Sequence, residues 1–196
     1  MNGRLIYVMG PSGSGKDSLL RQARDTLAQQ PGGLARVCFA HRYITRPVGM
    51  DAENHIALSA AEFQARCRAG LFALHWHSHG QDYGIGLEIE QWLARGFTVV
   101  VNGSRAHLDV ARRRFAALTA VLVSVSPETQ RRRLLARGRE SVAAIEARLA
   151  RTMSLDGGTE AGAWLIDNEG PLIEATQQLL RLVAPAEHPM SALPTA

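Results

Sequence analysis

The chain has 196 residues, 46% hydrophobic and 20% charged, enough for one domain with a sizeable core. No apolar run is long enough to span a membrane, and the short Leu5–Met9 run leads into a glycine-rich loop instead of a signal-peptide cleavage site, so a cytoplasmic protein is expected. The net charge of +4 is arginine-based, yet the runs Arg112–Arg114 and Arg131–Arg133 lack interleaved aromatics, so they read as solvated helix faces or anionic-substrate steering and not as nucleic-acid contacts.

In chain order, Arg4–Met9 (RLIYVM) reads as a buried strand feeding the loop GPSGSGK. Residues 16–30 read as a helix with Leu19, Leu20, Ala23 and Leu27 on one stripe, stopped at Pro31-Gly32-Gly33. Arg36–Ala40 is a second strand. From His41 to Gly84 the pattern turns polar, with a short helix at 60–69 and a short strand at 71–77, as in an inserted substrate lobe. Helix 88–95, buried strand 98–101 (TVVV), helix 105–117 and buried strand 120–125 follow. Helices are expected at 127–137, with Pro127 near its start, and at 141–153; a short strand at 163–166 and a helix at 171–182 close the pattern. The tail 184–196 is proline-rich and expected to be flexible. Strands alternating with helices imply an α/β fold with a parallel sheet covered on both faces. Two cysteines without C-x-x-C spacing, Cys38 and Cys67, suit a reducing compartment.

The loop carries the strongest chemical signal. G-x-x-x-x-G-K-[ST] is met at Gly10, Gly15 and Lys16, but Asp17 stands where a Ser or Thr would ligate Mg²⁺. Lys16 is the only lysine in the chain, kept where a compact ammonium must reach phosphate oxygens. The loop residues Gly10, Pro11, Ser12, Gly13, Ser14, Gly15, Lys16, Asp17 and Ser18 are therefore expected to cradle a nucleotide's phosphates through backbone N–H groups. A helix cap at Asp17 is the plainer alternative, but a cap facing three phosphates repels them unless a cation intervenes. His75, His77 and His79 alternate on a short strand; a sugar-phosphate contact by one or two of them is a better reading than a metal site.

With these residues in view, the chain resembles the guanylate kinase family of P-loop nucleotide kinases from about residue 4 to 182. The resemblance rests on the loop, Thr45-Arg46-Pro47, Phe63, Tyr83-Gly84, the strand at 98–101, the segment 131–148 and Asp167-Asn168. It implies a three-layer P-loop kinase sandwich (1–40, 85–125, 151–183), a substrate lobe (41–84) and a lid (126–150). It further implies ATP and Mg²⁺ as cofactors, Arg46 and Tyr83 on the acceptor phosphate, lid arginines Arg137 and Arg148 over the transferring phosphoryl, and Asn168 near adenine. Guanylate kinases read guanine with two acids, and here His75 and Ser104 occupy those places. Carboxylates only accept hydrogen bonds, which suits guanine's N–H edge; His and Ser do not replace them well. A second phosphate-gripping arginine is replaced by Val48, and an expected tyrosine by His55.

The set Lys16-Asp17-Ser18, Glu53-Asn54-His55, His79-Gly80, Tyr83-Gly84-Ile85 and Asn102-Gly103-Ser104-Arg105 resembles a branch of that family, the ribose 1,5-bisphosphate phosphokinases of phosphonate catabolism. That resemblance implies phosphorylation of ribose 1,5-bisphosphate to 5-phosphoribosyl 1-diphosphate, with Arg46, His55, His75, Tyr83, Asn102, Ser104 and Arg105 around a small-molecule acceptor. Asp17 and Asn102 then read as an exchange: the metal-organising carboxylate has moved from the strand end to the loop. A guanylate kinase and a non-catalytic binding module of the same fold are the alternatives.

Overall fold

The computed structural model describes residues 3–47, 55–138, 141–143, 145–147, 149 and 161–184. Strand β1 (Arg4–Met9) is buried along nearly its whole length and lies at the centre of a five-stranded parallel sheet. Its neighbours are β7 (Thr98–Asn102) and β8 (Thr119–Ser124), with β2 (Val37–Phe39) beyond one and β9 (Trp164–Asp167) beyond the other. Both sheet faces are covered, which is why these strands read as unbroken apolar runs. On one face Ile6, Val8, Val100, Val121 and Val123 pack with Leu19, Ala23 and Leu27 of α1 (Lys16–Gln29) and Ala175, Leu179 and Val183 of α6 (Leu172–Val183). On the other, Leu5, Tyr7, Met9, Val99 and Val101 meet Ile89 of α3 (Glu88–Ala94) and Leu108 and Ala111 of α4 (Leu108–Arg114). The expected three-layer α/β arrangement is the one observed.

A second sheet is built from β3 (Arg42–Ile44), β4 (His55–Ala57), β5 (Phe72–Ser78) and β6 (Gln81–Gly86), in the order β4-β3-β6-β5. Only β5 is visible in the sequence pattern. The others are three to six residues long, and β6 (QDYGIG) reads as a loop because of its glycines. Gly84 is required: a Cβ there would lie 2.6 Å from the Phe72 ring. That ring stacks on Phe63 of α2 (Ala60–Arg68), 4.7 Å between centroids, and joins the helix to one face of the sheet. Ser59 caps α2 by accepting from the Glu62 N–H. His79-Gly80 forms a two-residue turn between the paired Ser78 and Gln81, both turn residues at positive φ.

One helix differs from the pattern. The helix expected over 105–117 is a short 3₁₀ turn, Arg105–His107, followed by α4. Helix α5 (Pro127–Arg137) is as expected, with Pro127 in its first turn, a Ser126 cap and a left-handed Gly138 after it. Of the helix expected over 141–153, the described residues between 142 and 149 are helical, and Ile145 and Leu149 pack on Leu134. The tail 185–196 lies outside the described residues.

Candidate active site

The loop Gly10–Gly15 leaves the end of β1 and enters α1 without a side-chain cap. Gly13 and Gly15 have φ of +89° and +84°, which ordinary side chains rarely adopt. At Gly15 a Cβ would also lie 2.5 Å from Asn168 Nδ2. The loop's carbonyls are held from behind. Asn168 Nδ2 donates to Ser14 O at 2.6 Å, Arg133 Nη1 donates to the same oxygen at 3.2 Å, and Gln130 Nε2 donates to Ser12 O at 2.7 Å. Arg133 Nη2 also donates to Asn168 O at 2.8 Å. Carbonyls fixed this way leave the loop's N–H groups and the open N-terminus of α1 to face an anion.

Three consecutive arginines thus point three ways from α5. Arg131 pairs with Glu146, Arg132 donates to Thr129, and Arg133 grips the loop. Helix α5 is itself anchored by Glu169, which accepts from Ser126 N, Ser126 Oγ and Thr129 Oγ1. Asn168, expected near adenine, is 2% exposed, and its amide Nδ2 holds the loop at Ser14 O.

Asp17 lies in the first turn of α1 and does not cap it. Its Oδ1 accepts from Asn102 Nδ2 at 2.9 Å, lies 3.5 Å from Lys16 Nζ and 4.0 Å from Arg42 Nη2. Lys16, working against the cost of burial, and then Arg42 and the Asn102 hydrogen bond hold its carboxyl well below the usual carboxylate range. The loop, the end of β7 and the first strand of the second sheet therefore converge on one ionised oxygen. Ser18 follows on the same turn, partly exposed.

The exit of β7 is shaped by Tyr7. A Cβ at Gly103 would lie 2.1 Å from the Tyr7 ring, so only glycine lets Asn102 and Ser104 close over it. Tyr7 Oη donates to Ser104 O at 3.0 Å and accepts from Ser104 N at 2.9 Å. Burial pushes this phenol up to about 12 against the lowering effect of the Ser104 bond and Arg42. Ser104 and Arg105 are partly buried at the same strand end as Asn102.

On the second sheet, Arg42 lies over the Tyr83 ring at 5.0 Å, and Tyr83 stacks on Trp76 at 5.6 Å and 6° between planes. Trp76 in turn meets His107 at 5.6 Å. His55 is 6% exposed and its Nε2 lies 3.2 Å from Arg46 O. A carbonyl only accepts, so Nε2 carries the proton and His55 braces the backbone that presents Arg46. Thr45 ties the same arm to β6 by accepting from Asp82 N at 2.8 Å.

His75 is not brought to this cluster. It pairs across from Gly84, on the face covered by Phe72 and α2, opposite Trp76 and Tyr83, and it is exposed. His77 bonds Asp82 at 2.8 Å and His79 forms the turn. Arg148 and the side chain of Arg137 lie outside the described residues. Sequence reasoning missed Arg42 and Gln130, which stand in no motif, and read Arg133 only within a run of solvated or steering arginines; the tertiary fold carries Arg42 to Asp17 and the other two to the loop.

No protein-family model matches the chain. The ribose 1,5-bisphosphate phosphokinase PhnN of Thiobacillus denitrificans is 54% identical over 188 residues, covering 94% of this chain and 95% of the relative. The PhnN of Desulfomicrobium baculatum is 52% identical over 92% of this chain and 94% of its own length, and that of Pseudomonas paraeruginosa is 49% identical over 92% and 95%. Among solved structures, a guanylate kinase from Anaplasma phagocytophilum shares the fold at a TM-score of 0.68 and 16% identity, over 93% of this chain and 85% of its own. By its identity to these relatives over more than nine-tenths of both chains, the chain belongs to the ribose 1,5-bisphosphate phosphokinase family, on a guanylate kinase-like fold.

Proposed function

We propose that the protein transfers the γ-phosphoryl group of ATP to the 1-phosphate of ribose 1,5-bisphosphate, giving 5-phosphoribosyl 1-diphosphate and ADP. The observation that carries this reading is the convergence of Lys16, Asn102 and Arg42 on Asp17 beside a preformed phosphate loop, in a chain 54% identical to a named phosphokinase of that substrate.

An oxygen of the acceptor phosphate attacks the γ-phosphorus, an O–P bond forms, and the bond to the β-phosphate oxygen breaks in line. The acceptor is already ionised near neutral pH, so no general base is needed, and positioning with charge neutralisation supplies the catalysis. The loop N–H groups and Lys16 hold the nucleotide's phosphates. Arg46, braced through its backbone by His55, and Tyr83 take the acceptor phosphate. Ser104 and Arg105 line the same strand end, and Arg137 and Arg148 are the lid cations. Asp17, with Asn102 beside it, fits Mg²⁺: this ion takes oxygen ligands and commonly binds through one or two carboxylates together with substrate phosphates. Bound there, Mg²⁺ supplies neutralising charge at the phosphate oxygens. No described helix is long and apolar enough to cross a membrane, and Cys38 and Cys67 are free thiols; we place the protein in the cytoplasm.

The test is an ATP-dependent assay on ribose 1,5-bisphosphate, with GMP in parallel. Formation of 5-phosphoribosyl 1-diphosphate with little GMP turnover is expected; efficient GMP phosphorylation without sugar product would refute the reading.

A further inference from the structure

A hollow opens where α1 runs past the ends of β2 and β7, with Asp17 and Asn102 at its inner end. Arg21, Arg24, His41 and Arg42 border it. Asp17, Arg21 and Arg24 follow at i, i+4 and i+7, so they share one face of the helix. The rise of a helix sets Arg21 about 6 Å and Arg24 about 10 Å along the axis from Asp17.

The lining of this hollow carries more basic than acidic side chains. Some arginines on other helices meet acids, as Arg66 meets Glu62, Arg114 meets Glu90 and Arg131 meets Glu146. Arg24 reaches its neighbour Asp25 at 3.6 Å, whereas Arg21 makes no hydrogen bond or ion pair with any described residue. Among the described residues that line the hollow Asp17 is the one acid, and it already faces Lys16 and Arg42. Three arginines and a histidine around one concavity, against one carboxylate, match a phosphate dianion.

We infer that this hollow is the subsite for the second phosphate of a bisphosphorylated sugar acceptor, gripped by Arg21, Arg24 and Arg42. The inference rests on the acceptor proposed above. The acceptor's reacting phosphate must lie in line with the nucleotide beside Lys16, and its other phosphate lies one sugar ring away, as Arg21 does from Asp17. The subsite would then select a sugar bisphosphate over a nucleoside monophosphate, whose far end is an uncharged base.

The experiment compares the unmodified protein with the double variant R21A/R24A. Both side chains leave the solvent side of α1, and alanine suits a helix. Two quantities are read: the ratio of kcat/KM for ribose 1,5-bisphosphate over ribose 1-phosphate, and inhibition by ribose 5-phosphate, which carries only the second phosphate. Losing charge-assisted hydrogen bonds should lower the ratio roughly 10- to 100-fold, through KM, and weaken ribose 5-phosphate inhibition by a similar factor. An unchanged ratio, or a rise confined to the KM for ATP, would overturn the subsite. No turnover of ribose 1,5-bisphosphate by the unmodified protein would instead overturn the acceptor assignment on which the subsite rests.

Discussion

Exchanging the residues at 17 and 102 tests the central contact of the site. Asn102 donates to Asp17 Oδ1 at 2.9 Å, and the side chain of Asp17 is 30% exposed. Asn102→Asp alone puts two carboxylates in contact. At about 4 Å and an effective dielectric constant of about 20, two like charges repel by about 4 kcal/mol, a factor of nearly 10³ in an equilibrium. Lys16 and Arg42 flank the pair and offset part of this. The variant relieves the rest by holding one proton, so its activity should fall about 10²-fold at neutral pH and recover as pH rises. Asp17→Ser alone removes the only loop carboxylate and should fall by a similar factor.

The double variant D17S/N102D has one carboxylate again, at the strand end, with a hydroxyl in the loop. If total charge around the phosphates is what matters, it should regain at least about tenfold over either single variant, a coupling of about 4 kcal/mol or more against additive losses. The assay is a double-mutant cycle on kcat/KM with a Mg²⁺ titration at each corner. Strictly additive losses, or an unaltered Mg²⁺ dependence in D17S, would refute the reasoning, since either would mean that the two positions do not share one charge.

Three further outcomes are expected. Tyr7→Phe strands the Ser104 backbone N–H and C=O and should lower folding stability by about 1–3 kcal/mol in urea unfolding; a change under about 0.5 kcal/mol would contradict the assigned contacts. Asn168→Ala removes a donor to Ser14 O and should raise the KM for ATP about tenfold, more than that for the acceptor; a larger effect on the acceptor would mean that Asn168 does not serve the loop. Burial, then the charges of His75 and Arg113, holds His107 below its ordinary value. A base so depressed binds fewer protons folded than unfolded, so stability should fall as pH drops below about 6.5, and His107→Gln should flatten that slope in denaturant midpoints; an unchanged slope would refute this.

What the sequence made legible depended on how local the physics is. The strand, loop and first helix are a continuous pattern of buried β residues, glycines at positive φ and a 3.6-period stripe, and they appear in the structure where they were read. The lobe's extra strands were not legible, because three-residue strands carry too little alternation and Gly84 serves a ring twelve residues upstream. Asp17 with Asn102 was legible as a pair only through the departure of both from the loop-kinase pattern; their 2.9 Å contact agrees with it. Arg42 was invisible because its importance comes from two partners, Asp17 and Tyr83, that are distant in sequence. The face that His75 takes on β5 was not legible, because alternation decides it and the pairing with Gly84 could not be read beforehand.

The same geometry answers why a phosphate loop tolerates a carboxylate. Before phosphates arrive, Lys16 and Arg42 would stand close together and repel; Asp17 between them keeps both cations in place, so the residue that looks hostile to a triphosphate preorganises its binders. Each donor comes from a different part of the fold, Lys16 from the loop, Asn102 from the core sheet and Arg42 from the second sheet, so the carboxylate also joins the nucleotide side to the acceptor side. In the proposed reaction, phosphates are stronger partners for Lys16 and Arg42 than a single carboxylate is, and their arrival would leave Asp17 held by Asn102 alone. An ionised carboxylate that loses two cations beside incoming phosphates calls for a new cation at that position. A serine there would neither hold the two cations apart beforehand nor make that demand afterwards, which is why D17S should fail unless residue 102 takes over the charge.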